Sequence, residues 1–242
     1  MIFYAFSVFS AIVVGLCIAE EFPVTTCKRN SPNYFNCLKL AIQESWPRFI
    51  KGLPEFDFPS LDPLPYNFGE FKFGRNEIYG SVILTDLICI GLTNISFSAV
   101  RAHFLDDGFH LEIDTNVPKL FIEGDCKAQG KVGGFEMGGK GHFNVTIENI
   151  KGTWDLIGHV TNDTWVVEHF RYFPSVGNMK FYFNNLFNDN EELNNFAMFF
   201  VNEYWPILYR ALLPTVSENW DVWLVDISNR IFSKVSFSKL FP

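Results

Sequence analysis

The stretch from Glu191 to Ser233 constrains this chain most, because it reads as one long helix with too little polar surface to stand in water. Fully helical, it would run about 64 Å at 1.5 Å per residue. Asp189 and Asn190 are both good N-caps, and Asp189 with Glu192 has capping-box spacing. At about 100° per residue, Glu192, Glu203, Arg210, Ser217 and Asp221 fall within one narrow stripe. Nearly everything off that stripe is apolar, including Trp205, Leu208, Leu212, Trp220, Trp223 and Ile227. A helix apolar over most of its circumference has to be enclosed. It is not a bilayer span, since Asn202, Glu203 and Arg210 interrupt the apolar run. Pro206 and Pro214 each remove a backbone donor, so two or three helical segments are expected rather than one rod.

The cover comes from residues 68–187, where the period switches to two. Phe109, Leu111, Ile113, Thr115 and Val117 alternate with His110, Glu112, Asp114 and Asn116. Phe135, Met137, Phe143, Val145 and Ile147 repeat the pattern, as do Trp154, Leu156 and Val160, then Met179, Phe181 and Phe183. One-sided alternation indicates antiparallel strands with one wet face. No helix of crossover length separates them, so the strands read as a meander of hairpins. Glycines such as Gly133, Gly134, Gly138, Gly152 and Gly158 mark bends. The expected fold is α+β: a long kinked C-terminal helix wrapped by a strongly curved antiparallel sheet. Perfect packing between a bent helix and a bent sheet is hard, so an elongated hydrophobic cavity is expected between them.

Residues 1–19 are almost wholly apolar and end in Cys17-Ile18-Ala19, which reads as a secretory signal peptide preceding one domain over 20–242. An uncleaved anchor is the alternative, although the stretch is short for a span. Secretion makes disulfides possible. Cys27 and Cys37 flank a short polar loop, and joining them is worth about 2.7 kcal/mol on the chain-entropy model. Cys89 and Cys126 lie in strand-like runs and are either paired or buried free thiols. Three sequons, at Asn94, Asn144 and Asn162, are candidate glycan acceptors, of which one or two are expected to be used.

Between the signal and the strands, Ser31 and Pro32 suit a helix start, and Phe35, Leu38, Ile42, Trp46 and Phe49 follow helical spacing up to Gly52. Residues 53–66 carry four prolines and read as an irregular connector whose Phe56, Phe58, Leu61 and Leu64 need burial.

A net charge of −8 argues against nucleic acid and anionic lipid as partners. The 28 phenylalanines mean either a Phe-heavy core or a cavity lined for a ligand. Gly134 to Lys140 approaches a phosphate loop, but Gly141 follows instead of Ser or Thr and a strand follows instead of a helix. The chain lacks a Gly-x-Ser-x-Gly elbow and a His-Glu-x-x-His pair, and its five histidines are scattered. No enzyme, metal or cofactor is expected.

An ordered set of segments resembles one family, the takeout and haemolymph juvenile-hormone-binding proteins of insects. The set includes Cys27 and Cys37, Phe58-Pro-Ser-Leu-Asp-Pro-Leu64, Gly91-Leu-Thr-Asn94 and Pro118-Lys-Leu-Phe-Ile-Glu-Gly-Asp125. It continues through Gly139-Lys-Gly141, Leu186-Phe-Asn188, Phe200-Val-Asn-Glu-Tyr-Trp205 and Ile231-Phe-Ser-Lys234. The resemblance implies a helix wrapped by a curved sheet, an apolar cavity, and a secreted carrier of small apolar ligands such as a terpenoid or a fatty acid. Only the N-terminal cysteine pair matches, which points to a takeout-like member rather than a dedicated hormone carrier. Cys126 stands where the family usually has an aromatic, and would narrow or widen the cavity there.

On that reading the candidate walls are Phe109, Leu111, Ile113, Phe135, Met137, Phe143 and Val145 from the sheet, with Phe196, Phe199 and Phe200 from the helix. Tyr204 and Tyr209 are candidate orienting groups. Each wall residue also fits ordinary sheet-to-helix core. Burying about fifteen ligand carbons is worth about 12 kcal/mol gross, against an association cost of roughly 4–15 kcal/mol. A secreted interaction protein with a filled core and a lipid esterase are the rival readings. No nucleic acid and no stable membrane insertion are expected.

Overall fold

Two very long antiparallel strands form the spine of the fold. The computed structural model describes residues 22–66, 69–75, 78–132, 135–184, 187 and 190–242. The signal-peptide reading of residues 1–19, the cap at Asp189 and the bend at Gly133 and Gly134 fall outside the described residues. The spine strands are β5 (Gly108–Val132) and β6 (Phe135–Thr161), paired from Gly108 opposite His159 to Val132 opposite Phe135. Ladders of this length do not stay flat, because each strand carries a right-handed twist that accumulates.

The remaining strands are β1 (Leu64–Tyr66), β2 (Gly69–Arg75), β3 (Ile78–Ile90), β4 (Ser96–Phe104), β7 (Thr164–Tyr172) and β8 (Asn178–Asn184). The expected simple meander is corrected. Both β3 and β4 pair with β5, and both β7 and β8 pair with β6, so the successive strands β3 and β4 are not neighbours. A 25-residue strand has an edge long enough for two ordinary strands end to end, and the chain uses each edge twice. All pairings are antiparallel, and the sheet is open, with β1 and β7 at opposite ends of the strand order.

The spine changes its inward parity halfway along. Phe109, Leu111, Ile113 and Val117 are buried on β5, then Cys126 is buried while Lys119 and Asp125 are exposed. On β6 the buried set is Phe143 and Val145, then Ile150 and Leu156. The switch falls at Pro118 and Asn149, whose positive φ of 55° breaks the regular pleat of both strands without shifting their register.

Two apolar clusters result. The main core joins the Phe109–Val117 half of the spine to β4, β7, the helix α1 (Tyr34–Phe49) and the chain's last turns, including α3 (Phe237–Leu240). The smaller cluster, at the other end, is Leu87, Cys126, Phe143, Val145 and Met179.

Three local expectations are refined. α1 starts at Tyr34 rather than at Pro32, and its Phe35 is exposed. Residues 53–66 are not wholly irregular, since Pro54–Phe56 form a 3-10 turn and β1 pairs with β3. Phe56, Phe58, Leu61 and Leu64 are buried there, as their apolarity requires. Cys27 and Cys37 are bonded, while Cys89 and Cys126 are free.

The C-terminal helix α2 (Glu191–Phe232) is one continuous helix, not two or three pieces. Pro214 and Arg210, whose carbonyl loses its donor there, are both exposed, so water can satisfy the freed group without breaking the helix. Its N-cap is Asn190, whose side chain accepts from Leu193 N at 3.0 Å. Among the described residues no helix is long and apolar enough to cross a membrane.

The outer face of the sheet is polar and cross-braced. Arg101 on β4 donates to both oxygens of Asp114 (2.7 and 2.8 Å) and to Glu112 (2.9 Å) on β5. These contacts hold both carboxyls below their usual range. Lowered folded values mean that this stabilisation is present above about pH 4 and is lost as the pH falls below it. Arg101→Met is therefore expected to cost about 1 kcal/mol at pH 7 and much less near pH 3, read from urea midpoints at the two values. Equal losses at both would remove the pair from the account of acid stability.

Candidate functional site

α2 lies along the free edge of the sheet, held there by polar side chains that act in place of a missing strand. Asn229 accepts from Val167 N (2.9 Å) and donates to Val167 O (2.8 Å). Asp221 accepts from Phe170 N at 2.5 Å and meets His169 Nδ1 at 3.0 Å. Ser217 donates to Tyr172 O, and the Tyr209 hydroxyl donates to Pro174 O at 2.6 Å. Asn202 closes the series, accepting from Phe181 N (2.8 Å) and donating to Phe181 O (2.9 Å) on β8. An open edge invites pairing with another chain, and these contacts occupy it. So part of the expected polar stripe, Ser217 and Asp221, faces the sheet edge rather than solvent.

The helix is not enclosed over its whole length, which corrects the expectation drawn from its composition. Its second half is anchored: Ser217, Ile227, Ser228 and Ile231 are buried. No α2 residue before Ser217 is buried. In the first half, Trp205 and Tyr209 are half-buried against the smaller cluster. Phe196 (65% exposed), Phe199, Phe200, Tyr204 and Ile207 are left open. The physical reason is supply: the sheet beside this half offers only the small cluster to cover an aromatic-rich helix.

The candidate residues fall into distinct places. Phe109, Leu111 and Ile113 are in the main core, with Phe109 fully buried. Phe143 and Val145 are in the smaller cluster, beside Trp205 and Tyr209. Phe135 and Met137 lie at the far tip of the spine, opposite Val132 and Gly130, and their side chains are outside the described set. Phe196, Phe199, Phe200 and Tyr204 are on the open part of α2. The residues that sequence reasoning did not assign to the site are Leu87, Met179 and Trp205, together with the edge-holding Asn202 and Asn229.

Burial pushes the Tyr209 phenol up to about 12, and its hydroxyl is committed to Pro174 O. Cys126 sits inside the smaller cluster with its thiol 3.4 Å from Gly141 O, and burial raises its pKa. Burial likewise pushes Cys89 up to about 12. Both are therefore protonated thiols near neutral pH that contribute apolar surface. Each of the five histidines faces a carboxylate, from His103 with Glu112 to His169 with Asp221. Among the described residues no cluster of His, Cys, Asp and Glu is arranged to hold a metal ion.

The sequence model of the haemolymph juvenile hormone binding protein family matches residues 7–242. The chain belongs to that family. Its fold is that of the crystal structure of Epiphyas postvittana Takeout 1, with a TM-score of 0.68 at 19% identity, over 90% of this chain and 99% of that one. A crystal structure of lipopolysaccharide binding protein overlaps 82% of this family member and 36% of its own chain, at 12% identity and a TM-score of 0.33. No curated protein sequence matches significantly.

Proposed function

We propose that this chain is a secreted carrier that binds a small lipophilic ligand between the first half of α2 and the smaller apolar cluster. The observation that carries this reading is the unequal cover of α2. An aromatic-rich half-helix has no fully buried side chain, yet it lies beside an apolar sheet face made of Leu87, Phe143, Val145 and Met179. An aliphatic or terpenoid molecule laid there would be contacted from both sides, and each buried methylene would contribute about 0.8 kcal/mol. Membership of a family described as hormone-binding supports the reading. Cys126 contributes a small apolar side chain to the same face.

The ligand is sought by solvent extraction of the full chain purified from insect secretion, followed by mass spectrometry. A stoichiometric lipid supports the carrier. An empty protein that also fails to take up fluorescent fatty acids or a terpenoid would leave an interaction protein as the better reading. Within the carrier reading, Trp205→Ala is expected to weaken ligand binding about tenfold or more, because the ring spans helix and cluster. Fluorescent-ligand titration checks this. An unchanged Kd would place the ligand elsewhere.

A further inference from the structure

Beside the proposed lipid space, the Asn195–Glu203 turns of α2 form an open groove with the wet face of β6 and β8. Its volume is about 510 Å3, within the range of small-molecule sites. Its lining mixes polar groups with apolar surface, the latter including Phe181 and Met198. Asn144, Thr146, Lys180, Asn195 and Glu203 supply hydrogen-bonding groups, and Tyr182 and Phe199 supply aromatic rings. Both rings are exposed, Tyr182 at 51% and Phe199 at 61%. Amides, an ammonium, a carboxylate and aromatic faces together suit a carbohydrate, whose hydroxyls need hydrogen bonds and whose C–H faces cover apolar rings.

The source of such a carbohydrate is in the groove itself. Asn144-Val145-Thr146 is a glycosylation sequon, and Asn144 and Thr146 both line the groove while Val145 points into the core. Tyr182 is the direct cross-strand partner of Asn144, which puts their Cβ atoms roughly 5 Å apart. Thr146 is likewise opposite Lys180. A sugar joined to the Asn144 amide is therefore delivered beside the Tyr182 ring without any reach. The other two sequons have no such setting. Asn94 ends an exposed 3-10 turn, and Asn162 occupies the two-residue loop between β6 and β7.

We propose that Asn144 carries an N-linked glycan whose first sugars lie in this groove and shield Tyr182 and Phe199 from water. The proposal rests on the secretory part of the functional reading and is independent of which lipid is carried. The attachment is the ordinary one: the Asn144 amide nitrogen displaces a lipid-pyrophosphate from the oligosaccharide's anomeric carbon, with loss of one amide proton.

The full chain secreted from cultured insect cells provides the test. Glycopeptide mass spectrometry is expected to find Asn144 occupied. Hydrogen exchange then compares the intact glycoprotein, the same protein trimmed to one Asn-linked sugar, the enzymatically stripped protein, and Thr146→Ala. Amides of β8 and of residues 195–203 are expected to be equally protected in the first two. In the stripped protein and in Thr146→Ala they should exchange about threefold faster or more, with raised binding of an apolar dye. Thr146→Ser, which keeps the sequon, should behave as the intact protein. An empty Asn144 on a chain glycosylated at Asn94 or Asn162 overturns the proposal and leaves secretion standing. A chain retained in the cells with all three sites empty overturns both. An occupied Asn144 whose stripping leaves exchange unchanged overturns the shielding.

Discussion

Gly158→Ala is expected to destabilise the protein by at least about 3 kcal/mol, or to prevent its accumulation as a folded species. A Cβ at this position would lie 1.9 Å from the Val166 carbonyl oxygen and 2.8 Å from its carbon. Both atoms are backbone in a paired strand and cannot rotate away. The position also carries the register shift between Ile157 and Gly158, where β6 and β7 come out of step. Beyond that shift β7 changes parity: Trp165 and Val167 are buried, and then Phe170 is. Moving the backbone to admit a methyl group would undo the bulge, and a one-residue slip turns inward side chains outward. Chemical denaturation of the wild type and variant measures the loss. A variant of unchanged stability would show that β7 can reach the same packing without this close approach.

Phe109→Ala is expected to cost about 3–5 kcal/mol, as large-to-small changes at fully buried aromatics do. The Phe109 ring has no exposed surface and meets four others, Phe241 at 4.6 Å, Trp165 at 4.8 Å, Phe104 at 4.9 Å and Phe237 at 5.0 Å between centroids. Two of these belong to the last turns of the chain. Arg29 closes the outside, with its guanidinium 4.1 Å from the Phe104 centroid and its Nε donating to Phe241 O. The void would loosen β4, β7 and the C-terminus together. The folded fraction should nevertheless bind ligand within about threefold of wild type, since Phe109 lies in the main core and not in the smaller cluster. Unfolding curves and ligand titration at a temperature well below the variant's midpoint separate the two effects. A collapse of affinity in protein that is still folded would move the ligand site into the main core.

Much of this architecture was legible because it follows from patterns that backbone geometry imposes. Period-two runs marked the strands, and the excess of apolar residues in Glu191–Ser233 marked a helix whose second half alone is covered. Partner choice was not legible, because whether β4 joins β3 or β5 depends on how much edge a strand far along the chain provides. The parity switch did leave a trace. Phe143 and Val145 are odd-numbered and Trp154 and Leu156 even-numbered, so the inward face must change in between, and Asn149 is where it does.

The candidate site was only partly legible for a related reason. Hydrophobicity states which side chains favour burial, not which will find a neighbour. Phe109 and Phe196 look alike in sequence, yet one is fully covered and the other is 65% exposed. Asn202 read as an interruption of an apolar helix, although it serves as the helix's attachment to β8. α2 holds five asparagines, and only the structure shows that Asn202 and Asn229 are the ones bonded to both backbone groups of an edge residue. The Asn162-Asp163 hairpin turn, with positive φ at both residues, was read in the sequence only as part of a sequon.

The parity switch at Pro118 and Asn149 also divides labour along the molecule. One spine runs through both ends, but each end buries its own set of side chains. Substitutions near Cys126, Phe143 or Trp205 can reshape one end while the aromatic packing around Phe109 continues to hold the chain folded. Such an arrangement gives a lineage freedom to exchange ligands without renegotiating its foundation, and it predicts that relatives diverge faster at the open end than at the closed one.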